Sequence, residues 1–434
     1  MSREFFIKDT DYATEDTAGV VKVGEGLSVS NEGVLSVSGG GGQKGSPYIY
    51  ITLEEYMAIT PETDTLYWVL GNDGKHGVYM NEALVEGEKL VAEIYGVSWD
   101  GTSTTAWTRI NKSADFSDPV PYVSGASNYG SPFDNCYPWS DMQISERTGG
   151  TMVSIPKFWY KITQDGSSIN IQIADKAVDG FHVSPAHMDR NDGNGERDVV
   201  YIGRYHCDSN YKSTSSGSPK AKITRSSARS SIHNLGSNIW QGDFAMQFTI
   251  WLLYIVEFAD WNSQIKIGKG CGNNSSTQSM GYTDSMPYHT GTTQSSRDTY
   301  GCGTQYRNIE GLWDNVFDWC DGCYNNSNGF NIILNPANFS DSSNGTSVGT
   351  PSNGYPSAFG VKDVNGTFPL FIPTASDGSN STYSSDYWIF STSYPCVYVG
   401  GFYNQDDNYG LFYLNCIGAS NSGSYIGCRL QELP

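Results

Sequence analysis

Basic side chains are scarce in this chain. Its 434 residues include 46 aspartates and glutamates but only 26 lysines and arginines, a formal net charge of −20. The imbalance is uneven: residues 1–112 carry 17 acidic and eight basic side chains, a net of −9. No basic patch stands out. Neutralising phosphates takes clustered Lys and Arg, so duplex nucleic acid is excluded as an expected partner, and an anionic membrane surface with it. A long apolar run is also missing. The longest, FTIWLLYIVEFA at 248–259, falls well short of the roughly 20 residues that span a bilayer, so no membrane insertion is expected. The opening MSREFFIKDTDYATEDTAGVV lacks a basic start followed by an apolar stretch, which argues against export and for assembly in a cytoplasm. The nine scattered cysteines are accordingly expected to be mostly reduced and buried.

Rings and glycines are plentiful. Aromatics make up 13% of the chain, tyrosine leads them with 29 copies, and there are 49 glycines. That balance suits a loop-rich fold whose rings fill cores or cover a recognition surface.

Three stretches follow in order along the chain. GLSVS (26–30) recurs as VLSVS (34–38) with NEG near the middle, and Leu27, Val29, Leu35 and Val37 alternate with serines. This predicts a two-stranded hairpin with one apolar stripe, marginal alone and suited to pairing with copies of itself. GGGGQKGS (39–46) reads as a flexible linker, so 1–46 forms an N-terminal β segment. Over 47–112 a small α+β spacer is expected. Thr52 and Glu55 have capping-box spacing, and GNDGKH sits between the strand-like TLYWVL and GVYM as a hairpin turn.

The remainder, 113–434, shows no clean boundary and reads as one domain. TMVSIPKFWYKIT and SSINIQIA are strand-like and joined by a turn at Asp165-Gly166. ITRSSARSSIHNLG predicts a short helix stopped by Gly236. DFAMQFTIWLLYIVEFADW predicts a stronger one, with Phe244, Phe248, Trp251, Leu252 and Ile255 on one face. Short strands and polar loops follow Trp261. The class is α+β.

Several phrases resemble known families. VKVGEGLSVSNEGVLSV resembles the shaft-entry segments of tailed-phage fibres, and ITLEEYMAITPETDTLYWVL looks like a small module of the same fibres. IPKFWYK, DGFHVSPA, EFADWNSQIKIGKG, GLWDNVFDW, VGGFYN and the block from GLFYLN to IGCRL are similar to C-type-lectin-fold proteins diversified by retroelements. DNVFDW (314–319) is close to a signature this lectin group shares with formylglycine-generating enzymes. The resemblance implies a lectin-fold, formylglycine-generating-enzyme-like domain at a fibre tip. It also implies a homotrimer held to other phage tail proteins, a virion location after assembly in the host cytoplasm, and a host-surface protein or polysaccharide as target. No catalytic role is implied. Diversification edits adenines and never produces Lys, Glu, Met, Gln or Trp. The segment 386–428 contains no Lys, Glu or Met, against 15, 16 and nine in the whole chain, although 311–385 has only Lys362. Trp388 and Gln405 are then fixed scaffold positions.

FYNQDDNYGLFYLNC (402–416) mixes rings with small polar groups and has no cation. Tyrosine offers broad amphipathic contact with little rotamer entropy to lose, while Ser, Asn and Gly adapt their hydrogen bonds. The expected ligand-binding residues are Phe402, Tyr403, Asn404, Asp406, Asp407, Asn408, Tyr409, Tyr413, Asn415, Ile417, Asn421, Ser424 and Tyr425, with Ile389, Ser391 and Ser393 as a second cluster. About half should be exposed, because one face of GLFYL must point inward. HMDRNDGNGERD (187–198) gathers Asp189, Asn191, Asp192, Asn194 and Glu196, oxygen ligands of the kind calcium favours, although the spacing is not that of an EF-hand and Asn-Asp-Gly is common turn chemistry. No other cofactor is expected. Cys320 and Cys323 form one C-x-x-C without a second pair for zinc, which fits a turn with two buried thiols. His182 and His187 are five apart around Pro185 and read as structural.

Two rival functions remain. A bacterial adhesin with the same tip is one. The other is an enzyme, either using Cys416 and Cys428 in formylglycine-type chemistry or cleaving glycans with two carboxylates across a groove. Asp406 and Asp407 are adjacent in sequence and would point oppositely on a strand.

Overall fold

The computed structural model describes residues 27–29, 35–37, 48–61, 66–71, 75–80, 83–87 and 91–434. The chain divides into two units, Met1–Ala92 and Glu93–Pro434. Strand outweighs helix, at 33% against 12%, so the class is α+β with sheet dominant. Among the described residues no helix is long and apolar enough to cross a membrane.

In the first unit, Leu27–Val29 pairs antiparallel with Leu35–Val37, as the repeated motif predicts. The NEG turn and the linker at 39–46 lie outside the described residues. A four-stranded sheet runs Tyr48–Thr52, Leu66–Leu70, His76–Met80, Ala83–Gly87, with the first pair parallel and the others antiparallel. Thr52 caps the helix Leu53–Ala58: its hydroxyl accepts the Glu55 N–H at 3.2 Å, and the Glu55 carboxylate accepts the Thr52 N–H at 2.8 Å. Tyr56 from this helix packs on Tyr67 and Tyr79, ring centroids 5.4 and 5.3 Å away.

The spacer expected over 47–112 ends sooner. Ile94–Trp99 pairs with Ser168–Ala174, and Thr108–Asn111 pairs with Ile94–Trp99, so these residues complete a five-stranded antiparallel sheet of the second unit. A strand counts with the sheet that takes its hydrogen bonds, and here that sheet lies downstream.

Two five-stranded sheets and the helix Phe244–Phe258 organise the second unit. Asp243 caps the helix, accepting the Met246 N–H at 2.8 Å, and the chain leaves it at Ala259 with a left-handed φ of 50°. The one-face expectation falls short. Every residue from Phe244 to Phe258 is buried, because the helix is apolar on nearly all sides and is walled in all round. The shorter helix, Arg225–His233, ends at Asn234, just before Gly236. After Trp261 the short helix Ser263–Lys266 and the 3-10 turn Pro336–Asn338 interrupt strands and loops.

The sheet that carries the site has four strands in the order Leu414–Ile417, Cys396–Val399, Phe317–Cys320, Ile426–Gly427, the last pair parallel. Leu430–Glu432 then enters the interior of the other five-stranded sheet, between Ile239–Gln241 and Val199–Gly203.

Trp251→Ala is expected to cost about 3–5 kcal/mol, since it empties a fully enclosed indole site. Met57→Ala, at a side chain 53% exposed, should stay within about 0.5 kcal/mol. Urea unfolding of both variants checks the contrast.

Candidate functional site

The segment Asp314–Trp319 is a junction in which four side chains clamp different parts of the unit. The buried Asp314 carboxylate accepts backbone N–H groups from Cys271, Gly303 and Thr304 at 2.7, 2.8 and 3.1 Å. Asn315 sits at a left-handed φ of 68° and grips Gln278 twice: its Oδ1 accepts the Gln278 N–H and its amide donates to the Gln278 carbonyl, at 2.8 and 2.9 Å. Asp318 lies between His206 Nδ1 at 2.9 Å and Arg429 Nε at 3.0 Å. Burial pushes its pKa up, but the neighbouring His206 and Arg429 outweigh this and hold it below the ordinary carboxylate value. The Trp319 indole donates to the Ile223 carbonyl at 2.8 Å. With its neighbours so fixed, the Phe317 ring is the buried floor of an aromatic nest.

Phe402 and Tyr413 stack on Phe317 with centroids 5.0 and 5.4 Å away, and Tyr409 and Tyr425 meet it edge-on at 5.6 and 6.2 Å. Tyr403 leans on Phe402 at 5.5 Å and its hydroxyl lies 3.3 Å from that of Ser424. Each such pair adds about 0.5–1.5 kcal/mol beyond area burial, so the rings are held rather than loose.

Exposure sorts the expected residues. Ser393, Asn404, Asp406 and Ser424 are exposed. Ile389, Ser391, Phe402, Tyr403, Asp407, Asn408, Tyr409, Asn415, Ile417, Asn421 and Tyr425 are half-buried. Fewer are fully exposed than the expected half, because the rings pack edge to edge and leave only their rims to solvent. Tyr413 is a correction. It is 2% exposed, its ring lies against Phe317, and its hydroxyl accepts the Asn415 amide at 2.8 Å, so it belongs to the floor. Leu411 and Phe412 are also buried. The scaffold positions Trp388 and Gln405 are both buried, and the Gln405 amide donates to the Lys269 carbonyl at 2.6 Å.

Supports for this face come from far away in the sequence. Lys269 pairs with Asp407 at 2.9 Å, its ammonium lies 4.8 Å from the Tyr300 ring centroid, and the Tyr300 hydroxyl bonds Asp407. Tyr355 bonds Asn408, and the Asn274 N–H donates to the Tyr403 carbonyl at 3.1 Å. Lys269, Tyr300 and Tyr355 escaped the sequence reading, since no local pattern marks a partner more than fifty positions away. Tyr394 escaped for a different reason. It is 50% exposed beside Ser393, and the rule that selected Tyr403 would have selected it.

Other expected sites resolve differently. In the acidic loop, Asp189 and Asp192 accept the Asn191 and Asn194 N–H groups at 2.9 and 3.1 Å, and Asp192 also pairs with Arg197. Lys157 lies 3.6 Å from Glu196 and 2.7 Å from Asp198. Asn191 has a left-handed φ of 57°. This is turn and ion-pair chemistry, and among the described residues the loop does not converge into a three-ligand cluster. Cys320 and Cys323 are buried free thiols around a turn, their carbonyls both accepting from Arg225 at 2.9 and 2.7 Å. His187 is buried between the Ser184 hydroxyl at 2.6 Å and the Ile155 carbonyl at 2.8 Å, and burial pulls its pKa down to about 4. His182 sits half-buried in the short strand His182–Val183. Asp406 and Asp407 lie on a loop rather than a strand: Asp406 is exposed and accepts the Asn408 N–H at 3.0 Å. Cys416 and Cys428 are not brought together. Cys416 is on one edge strand, Leu414–Ile417, and Cys428 follows the opposite edge strand, Ile426–Gly427. With strands about 4.8 Å apart, that is a separation of about 14 Å.

Seven cysteines are free and buried, while Cys271 and Cys302 form a disulfide. Together with Asp314 they make the one group of three potential metal ligands among the described residues. Their sulfurs are bonded to each other and the carboxylate is occupied by backbone donors, so the arrangement works as a staple beneath Tyr300. Reducing this bond, or replacing Cys302 by Ser, is expected to lower stability by roughly 3–4 kcal/mol for a loop of 31 residues. Urea unfolding with and without reductant measures it, and an unchanged midpoint would count against the staple.

Asp386 closes the base of the face. Its carboxylate accepts the Phe412 N–H at 2.7 Å, and burial raises its pKa from 3.8 to about 7. The folded value lies above the unfolded one, so its contribution to stability is full below about 3.8 and is lost as pH rises through about 7. Wild type is therefore expected to lose stability relative to Asp386→Asn as pH rises across that window, as thermal melts at several pH values would report. Equal pH slopes for the two proteins would remove Asp386 from the account. Compared with known families and curated proteins, the chain matches no family model and no curated sequence.

Proposed function

We propose that the second unit is a recognition module: a C-type-lectin-fold tip on a tailed-phage fibre that binds a host-surface protein or polysaccharide without covalent chemistry. The observation that carries this reading is the set of half-exposed rings Phe402, Tyr403, Tyr409 and Tyr425 held on the buried Phe317. Around them, Asn404, Asp406 and Ser424 are exposed and within reach of polar groups of a partner. Rings fixed before contact lose little entropy on binding, which favours affinity from a small face.

The N-terminal hairpin suits self-association in a trimer, and three linked faces raise avidity by roughly a hundredfold or more when they engage together. Retroelement diversification of 386–428 fits a segment whose rim varies over a sealed floor. Its expected companion is a near-identical copy of that coding segment beside a reverse transcriptase, differing only at adenines. Absence of the copy would remove diversification and leave binding standing.

The direct test replaces Tyr403 and Tyr409 by Ala together, sparing the buried Tyr413. Host adsorption is expected to fall roughly tenfold or more, as at other aromatic hot spots, while the lost ring contacts lower the melting midpoint by the equivalent of about a few kcal/mol and the variant stays folded at the assay temperature. Full adsorption by a folded variant would move the binding face elsewhere.

A further inference from the structure

We propose that the pocket beside Asp407 is a subsite for a single uncharged sugar ring, an assignment that rests on the recognition reading above and narrows its target to a saccharide. The pocket measures about 180 Å³. At about 30 Å³ per water this is the space of about six waters, room for one pyranose ring. Ile265, Lys269, Asp298, Asn380, Ser381 and Asp407 line it.

Its chemistry selects the ligand. Ile265 is 52% exposed, a large apolar side chain left against water among polar neighbours. That surface suits the C–H face of a pyranose. Each sugar hydroxyl both donates and accepts, and the 2.9 Å pair of Lys269 with Asp407 offers a donor and an acceptor side by side. Asn380 and Ser381 are exposed at the rim and add an amide and a hydroxyl. Charge decides against acidic sugars and phosphates. The lining has one cation, already paired, and two carboxylates, so an anion would meet a net negative wall.

The wall is also stiff. Asn262 caps the short helix Ser263–Lys266 by accepting the Ile265 N–H at 2.9 Å. The buried Gln264 amide donates to the Lys269 and Asp406 carbonyls at 3.0 and 3.2 Å, tying the helix to the recognition loop. Of the lining residues named, only Asp407 belongs to 386–428. The subsite is thus nearly constant while the face next to it varies, so one sugar class stays recognised across different faces.

The test uses the full chain and saturation-transfer NMR with the methyl glycosides of glucose, galactose, mannose and N-acetylglucosamine, with methyl glucuronide as the charged control. Ser381→Trp fills the pocket from an exposed position and spares the core. At least one neutral glycoside is expected to bind in the millimolar range, the glucuronide at least tenfold more weakly, and Ser381→Trp should weaken the neutral ligand tenfold or more. Three results would overturn the subsite: no neutral glycoside binds, the glucuronide binds equally well, or Ser381→Trp binds like wild type. Adsorption measured on the Tyr403→Ala, Tyr409→Ala variant separates the two readings. Adsorption lost there with no glycoside bound by wild type rejects the subsite and keeps the face. Adsorption kept there with the glycoside bound rejects the face and keeps the subsite.

Discussion

A helix with almost no polar side must be shielded from water all round, and the second unit is arranged to satisfy that demand. Phe244–Phe258 is buried along its whole length, and sheets, loops and the segment around Leu411 and Phe412 all supply parts of its cover. The Trp251 indole donates to the Leu411 carbonyl at 2.8 Å, and Gln247 reaches the same oxygen at 3.4 Å. Phe412 packs on Trp251 and Trp261 with centroids 5.4 and 5.0 Å away. The stretch that carries the outward-facing rings is thus fastened to the driest element of the molecule.

Shape at the face follows from that fastening together with the Asp314–Trp319 junction. Buried carboxylates there are satisfied by backbone donors or by Arg429 and His206, so each one ties down a distinct loop. A charge in a dry interior needs such partners, and losing one leaves the other exposed to the full penalty of desolvation. The floor of the face is thus held chiefly by side chains at its flanks, which bond to distant parts of the chain.

Local patterns made part of this legible. The capping box at Thr52, the paired LSV strands and the turn after Asp165 follow from short-range spacing and are found where that spacing puts them. The long helix is legible as a helix, but its burial is not, since a run apolar on every side reads the same whether one face or all faces are covered. Residues 94–111 look like the end of a spacer because a strand's partner cannot be read from the strand itself. At the face, composition marks the segment as ring-rich, and alternation fails to separate Tyr413 from Tyr409 because the chain there turns rather than extends. Lys269, Tyr300 and Tyr355 act across long sequence separations, and only the fold brings them to the loop.

The strand Leu430–Glu432 follows the ring-rich segment in sequence yet lies inside a sheet whose other strands are made much earlier. Synthesis therefore passes through the whole of 386–428 before that sheet can close. A frameshift or premature stop anywhere in 386–428 would leave an open slot between Ile239–Gln241 and Val199–Gly203, with unpaired backbone on both sides. Such unpaired edges invite proteolysis and aggregation. The position of one short strand thus makes closure of an early-made sheet depend on an intact reading frame through 386–428.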